Sequence, residues 1–152
     1  MTNPDLMTRI DADLKEAMRN RDDVAKLTLR AIKTSLLNQM KSEDGPAAVS
    51  DEVVQAAVQL EAKRRRDAIT EYEKAGRKDL AEQEGAELAI LEKYLPRQLD
   101  EAEIRSLAES VIQDIGAESM AQMGQVMSAL MPKVAGVADG RLVSQIVRGL
   151  LS

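Results

Sequence analysis

Histidine, cysteine, tryptophan and phenylalanine are absent from this 152-residue chain, and tyrosine occurs only twice. Without cysteine there is no disulfide framework, so nothing marks an oxidising compartment. Without cysteine and histidine the usual zinc donor sets cannot be assembled. Neither a Ser-His-Asp nor a Cys-His constellation is available for nucleophilic catalysis. Two tyrosines do not make the row of rings on which single-stranded nucleic acid stacks. No apolar run approaches the ~20 residues of a membrane span. The opening Met1-Thr2-Asn3-Pro4-Asp5 lacks the basic-then-apolar order of a secretory leader. The expectation is a soluble, cytoplasmic protein with no metal, no cofactor and no membrane partner.

What remains for chemistry is carboxylates, Lys, Arg, Ser, Thr, Tyr and backbone groups. These permit carboxylate acid–base work or a Lys Schiff base, each needing a pocket that a sequence does not reveal. No catalytic residue is singled out. Lys plus Arg is 21 and Asp plus Glu is 26, a net charge of −5, which argues against bulk electrostatic binding of nucleic acid but allows a local basic patch. At 44% hydrophobic, with almost no rings, any core is built from Leu, Ile, Val, Ala and Met.

The abundant residues are those that cost least in a helix, and no alternating β-branched stretch competes with them. Pro4 suits a helix start. Leu6, Ile10, Leu14 and Met18 then form one stripe. Asp22 is a plausible cap for a second helix with a stripe of Val24, Leu27, Ala31 and Leu37 or Met40. This helix ends before the loop Ser42-Glu43-Asp44-Gly45-Pro46. Ser50 caps a third helix running to about Ala75, with Val54, Ala57, Val58, Ala68, Ile69 and Tyr72 inward and Gly76 as its left-handed terminator. Asp79 caps a fourth, carrying Leu80, Leu88, Leu91 and Leu95, and Pro96 stops it. The segment Leu95 to Leu99 reads as a domain boundary.

Beyond it, Asp100 and Glu103 form a capping-box variant for a fifth helix lined by Ile104, Leu107, Val111, Ile112 and Ile115, with Gly116 at its end. A sixth runs from about Met120 to Met131, with Pro132 at its end. Asp139 caps the last, whose apolar residues include Leu142, Val143, Ile146, Val147 and Leu150. The expected fold is therefore all-α. Residues 1–95 make an N-terminal four-helix domain, and residues 99–152 a C-terminal three-helix tail domain.

Lys63-Arg64-Arg65-Arg66 is the densest run of charge. Four successive helical residues span about 300° of circumference, so they do not share a face. Glu61 and Asp67 stand at ion-pairing spacing. A solvated, ion-paired face is the simpler reading. The alternative is a phosphate-binding ridge of Arg64, Arg77 and Lys78. Glu82, Glu84 and Glu87 read as a solvated face, and Tyr72 and Tyr94 as half-buried with hydroxyls in water. Met120, Met123, Met127 and Met131 have the spacing of core, or of an adaptable contact surface.

Gly124 to Gly140 holds three glycines, Lys133 and a helix start at Asp139. Small residues allow close approach of a partner, and a helix start offers N–H groups to phosphate, with Lys133, Arg141 and Arg148 nearby. The competing reading is an ordinary tight turn whose cap, Asp139, opposes an anion. The G-x-x-x-x-G-K-[ST] nucleotide loop is absent.

Two segments carry a family resemblance. Residues 63–98 run Lys-Arg-Arg-Arg-Asp-Ala-Ile-Thr-Glu-Tyr-Glu-Lys-Ala-Gly-Arg-Lys-Asp-Leu through Leu-Glu-Lys-Tyr-Leu-Pro-Arg-Gln and resemble the signature of the YqeY-like family. Residues 124–147, with Gly124, Lys133, Gly136, Asp139 and Gly140 in register, resemble the motif shared by that family and the tail of the B subunit of tRNA-dependent amidotransferase (GatB). The resemblance to YqeY-like proteins covers nearly the whole chain, that to the amidotransferase only the tail. It implies an all-helical protein whose tail helps to hold tRNA, with Lys133, Gly136, Gly140, Arg141 and Arg148 as candidate contacts. One position departs: Val137 stands where the family has Arg, or Gln in the amidotransferase tails, removing a polar group from the tip of the turn.

The leading expectation is a non-catalytic, tRNA-related binding module. The alternatives are an adaptor docking on an aminoacyl-tRNA synthetase or amidotransferase, and a carbon–nitrogen ligase using glutamine as amide donor. The last lacks any counterpart here of the amidotransferase's catalytic cradle.

Overall fold

The computed structural model describes residues 5–42, 44–45 and 48–152. Among them are seven α-helices, one short 3-10 turn and no strand. Helices α1 (Leu6–Arg19), α2 (Asp23–Lys41), α3 (Asp51–Lys74) and α4 (Lys78–Glu92) belong to one compact unit that ends at Leu95. Helices α5 (Glu101–Ile115), α6 (Met123–Val134) and α7 (Gly140–Leu151) belong to another that begins at Pro96. The expected helix start at Pro4, and Glu43 and Pro46 of the expected loop, lie outside the described residues. No helix among the described residues is long and apolar enough to cross a membrane.

In the first unit, short polar side chains set the helix starts by satisfying N–H groups that the first turn leaves unpaired. Asp5 accepts from the Thr8 N–H at 2.7 Å, Asp22 from Ala25 at 3.1 Å and Ser50 from Val53 at 3.3 Å. Asp51 adds a tertiary bond, accepting the Leu6 N–H at 3.0 Å and so joining the starts of α1 and α3. The cap expected at Asp79 is displaced. Gly76 (φ +71°) turns the chain so soon after α3 that α4 begins at Lys78. The cap is then Arg77, which has no acceptor on its side chain, and Asp79 lies in the first turn, paired with Arg77 at 3.3 Å.

Ile10, Leu29, Ile32, Leu36, Val54, Val58 and Leu91 form the centre of this unit's core. The stripe expected on α2 is wrong. Thr28, Leu29, Ile32, Ser35 and Leu36 face inward, while Val24, Leu27 and Leu37 are exposed. Two apolar stripes compete on this helix, and the buried one includes Thr28, whose hydroxyl is satisfied by donating to the Val24 carbonyl at 2.7 Å. On α1 the small Ala17 is buried and Met18 is exposed, against expectation.

In the second unit, Ile104, Val111, Val126, Leu130, Val134, Val143 and Val147 pack together. Both capping-box bonds are present: the Glu103 N–H donates to Asp100 at 2.8 Å and the Asp100 N–H to Glu103 at 2.9 Å. Gly116 closes α5 in the left-handed region, φ +73°. The expected sixth helix divides into a 3-10 turn, Met120–Gln122, and α6. Helix α6 runs through Pro132 to Val134 rather than stopping. The proline removes one late backbone bond, to the carbonyl of Ser128, and that residue is exposed to water.

Candidate nucleic-acid interface

The candidate site is the bend between α6 and α7. Lys133 stands exposed in the last turn of α6. Beyond Val134 the chain reverses: the N–H groups of Val137 and Ala138 both donate to the Val134 carbonyl, at 3.0 and 3.1 Å. Gly136 takes φ +80°, where a Cβ would be strained. The bend is also held from outside. Gln98 Nε2 donates to the Gly136 carbonyl at 3.2 Å and to the Pro96 carbonyl at 2.9 Å. The Leu99 N–H donates to the Val137 carbonyl at 2.8 Å. Sequence reasoning missed this brace; its only trace was that Gln98 ends the first recognisable segment and Gly136 lies in the second.

Val137 is half-buried and packs against the tail core, so the departure from the family pattern becomes a core contact. A Cβ at Gly140 would meet only Met131 Cε, at an ordinary 3.6 Å, so space does not demand glycine there. The start of α7 is not an open anion hole. Asp139 accepts from the Arg141 N–H at 3.4 Å and places a carboxylate on the positive end of the helix.

Cationic side chains are therefore what the bend offers an anion. Arg141 and Arg148 are both exposed, seven residues apart on α7. That spacing puts them on one face, about 10 Å apart along the axis. From Met123 to Ser152 there are three cations, Lys133, Arg141 and Arg148, and one carboxylate, Asp139, a local charge of 3 − 1 = +2 in a chain of net −5. Met123, Met127 and Met131 pack against the core, so the methionine stripe is largely used internally.

The other basic run is arranged differently. Arg64 and Arg65 both pair with Glu61, which is buried; the Arg64 contact is 2.9 Å. Lys63 pairs with Asp67 at 3.2 Å and Arg66 with Glu92 at 3.7 Å. Lys78 is exposed and Arg77 is paired with Asp79. Arg64 lies ten residues, about 15 Å, before the end of α3 at Lys74, and Arg77 and Lys78 stand beyond the turn at Gly76.

Two expectations need correction. Glu87 is not on a solvated face: it faces Arg65 Nε at 3.9 Å, and burial, followed by repulsion from Glu84, pushes its carboxyl above the ordinary range. Tyr94 does not reach water. It is buried, its O–H donates to Asp13, and the Arg9 guanidinium lies 5.4 Å from the ring centroid. Burial, then the Asp13 bond, raises its pKa above that of an ordinary tyrosine. Among the described residues no group of three or more His, Cys, Asp or Glu is placed to hold a metal ion.

Helices, a braced bend and three exposed cations on α6 and α7 define a small all-helical protein whose most distinctive surface is a charged one. The model of the family described as Yqey-like protein matches residues 7–151, and the chain belongs to that family. It is similar to "Altered inheritance of mitochondria protein 41, mitochondrial" of Pyrenophora tritici-repentis, 31% identical over 147 residues, 94% of this chain and 79% of the relative. The protein of the same description from Kluyveromyces lactis is 35% identical over 91 residues, 59% of this chain and 48% of the relative. A third relative is a much longer chain, one of the subunits of the glutamyl-tRNA(Gln) amidotransferase of Thermococcus gammatolerans. It is 34% identical over 160 residues, covering 92% of this chain and 24% of the relative. The likeness to an amidotransferase thus extends beyond the tail to which the sequence motif confined it. The chain spans about a quarter of that relative.

Proposed function

We propose that this chain is a non-catalytic tRNA-binding module. Residues 1–95 act as its YqeY-type helical domain and residues 99–152 as the tail domain that touches RNA. Lys133, Arg141 and Arg148 meet backbone phosphates, while Gly136 and Gly140 keep the bend between them slim. Such contacts fix position without reading base sequence. The observation that carries the reading is the +2 charge of the segment Met123 to Ser152, with two arginines on one face of α7, in an otherwise acidic chain. The similarity to an amidotransferase chain named for glutamyl-tRNA(Gln) supplies the RNA class. The remaining three-quarters of that relative has no counterpart here, so amide transfer is not assigned to this chain. We place the module in the cytoplasm, beside an aminoacyl-tRNA synthetase or an amidotransferase.

Filter binding of the full chain to total tRNA over a salt series tests this. Saturable binding at low salt is expected, with Lys133→Ala lowering the salt slope by about one ion. Absence of saturable binding at low salt would end the proposal.

A further inference from the structure

The outer face of α2 exposes apolar side chains. Leu27 is 59% and Val24 39% exposed, and Leu60 on neighbouring α3 is 39% exposed. Between α2 and α3 runs an open groove of about 650 Å³, lined in part by Ala31, Thr34, Asn38, Leu60 and Arg64. The lining residues Ala31, Thr34 and Asn38 follow one another at helical spacing, so the groove runs along α2 for about 10 Å, and exposed Leu27 stands one turn before Ala31 on the same face. Its lining is mixed: Ala31 and Leu60 are apolar, and Ser35, Gln39, Ser42 and Glu61 are polar.

The flanks are basic. Arg30 is exposed on one side of the stripe, and the Arg64 side chain is 63% exposed on the other. Two of the nearby carboxylates are occupied: Asp23 pairs with Lys26 at 3.3 Å, and buried Glu61, which lines the groove, pairs with both Arg64 and Arg65. We propose that this groove docks an acidic amphipathic helix of a partner protein. Its apolar residues, at i, i+3 or i+4 and i+7, enter between Leu27 and Leu60, and its Asp or Glu residues meet Arg30 and Arg64. A second copy is a poor occupant, because a two-fold contact sets the same basic flanks against each other. RNA is a poor occupant of a groove that offers no aromatic ring to stack on.

Fluorescence anisotropy of the full chain tests this with a labelled leucine-stripe peptide of about 18 residues bearing glutamate flanks. The controls are the same peptide with lysine flanks, and an RNA oligomer as competitor. Saturable binding of the glutamate peptide is expected, at least about tenfold tighter than the lysine peptide and weakened about tenfold by Leu27→Ser or by Arg30→Glu. Both positions are exposed, and circular dichroism melts confirm that each variant is folded. No saturation, equal binding of the two peptides, or wild-type affinity in both variants would overturn the proposal. So would displacement of the peptide by the RNA oligomer, or a dimer in sedimentation that Leu27→Ser abolishes.

Discussion

At the scale of single residues, folding raises the pKa of two groups, buried Tyr94 and half-buried Glu87. Tyr94 gives its proton to a hydrogen bond with Asp13 inside the first unit. Its pKa is raised in the folded chain, so that state keeps the proton after the unfolded chain has begun to lose it, near pH 10. The Tyr94 contribution is therefore complete below pH 10 and fades as pH rises beyond it. Tyr94→Phe should cost about 1–2 kcal/mol at pH 7 and flatten the alkaline decline, as urea unfolding at pH 7 and above pH 10 will register. An unchanged midpoint in the variant would contradict the bond. Glu87 shifts in the same direction at lower pH. Its carboxyl is raised by burial and by Glu84, against the pull of Arg65. A carboxyl raised on folding favours the native state when protonated, and that contribution is lost as pH rises. Glu87→Gln should therefore lose no stability at pH 7, and any gain should shrink towards pH 4. A marked loss at pH 7 would mean that the Arg65 contact dominates.

At the scale of elements, terminators and helix interiors predict opposite signs for one substitution. Gly116 is left-handed with nothing within 4 Å of an added Cβ, so Gly116→Ala should cost about 1 kcal/mol through backbone strain alone. Gly85 lies inside α4 with equally open space, and Gly85→Ala should add about 0.5–1 kcal/mol. Thermal melts of the two variants should move in opposite directions. The same contrast explains what could be read from the sequence. Ser50, Asp100 with Glu103, Gly76 and Gly116 act through local chemistry, and their places were legible. The buried face of α2 was not, because Leu27 and Leu29 are equally apolar and only neighbouring helices choose between them. The start of α4 shifted for a related reason: how quickly the chain leaves Gly76 depends on tertiary packing, whereas Asp79 looked suitable on chemistry alone.

At the scale of the molecule, what matters is how charge is distributed. Glu61 and Asp67 in α3 and Glu92 in α4 answer the run Lys63 to Arg66, an arrangement that the ion-pairing spacing of Glu61 and Asp67 partly foretold. In the tail, the cations were legible as residues, and the seven-residue interval places Arg141 and Arg148 on one face. The brace from Gln98 to Gly136 was not legible, since neither charge nor periodicity links positions so far apart in the chain. The brace gives a further prediction. Gln98→Ala removes the side-chain bonds to Gly136 and Pro96, and should weaken tRNA binding without changing its salt slope, because no cation is lost. A changed slope would mean that Gln98 acts through charge.

The most direct measurement of tail binding is an amide-resolved NMR titration of the full chain with tRNA. Shifts should concentrate at Lys133, Gly136, Gly140, Arg141 and Arg148, saturate with added RNA and diminish as salt is raised. Shifts confined to Arg64, Arg77 and Lys78, or none at saturating RNA, would contradict it.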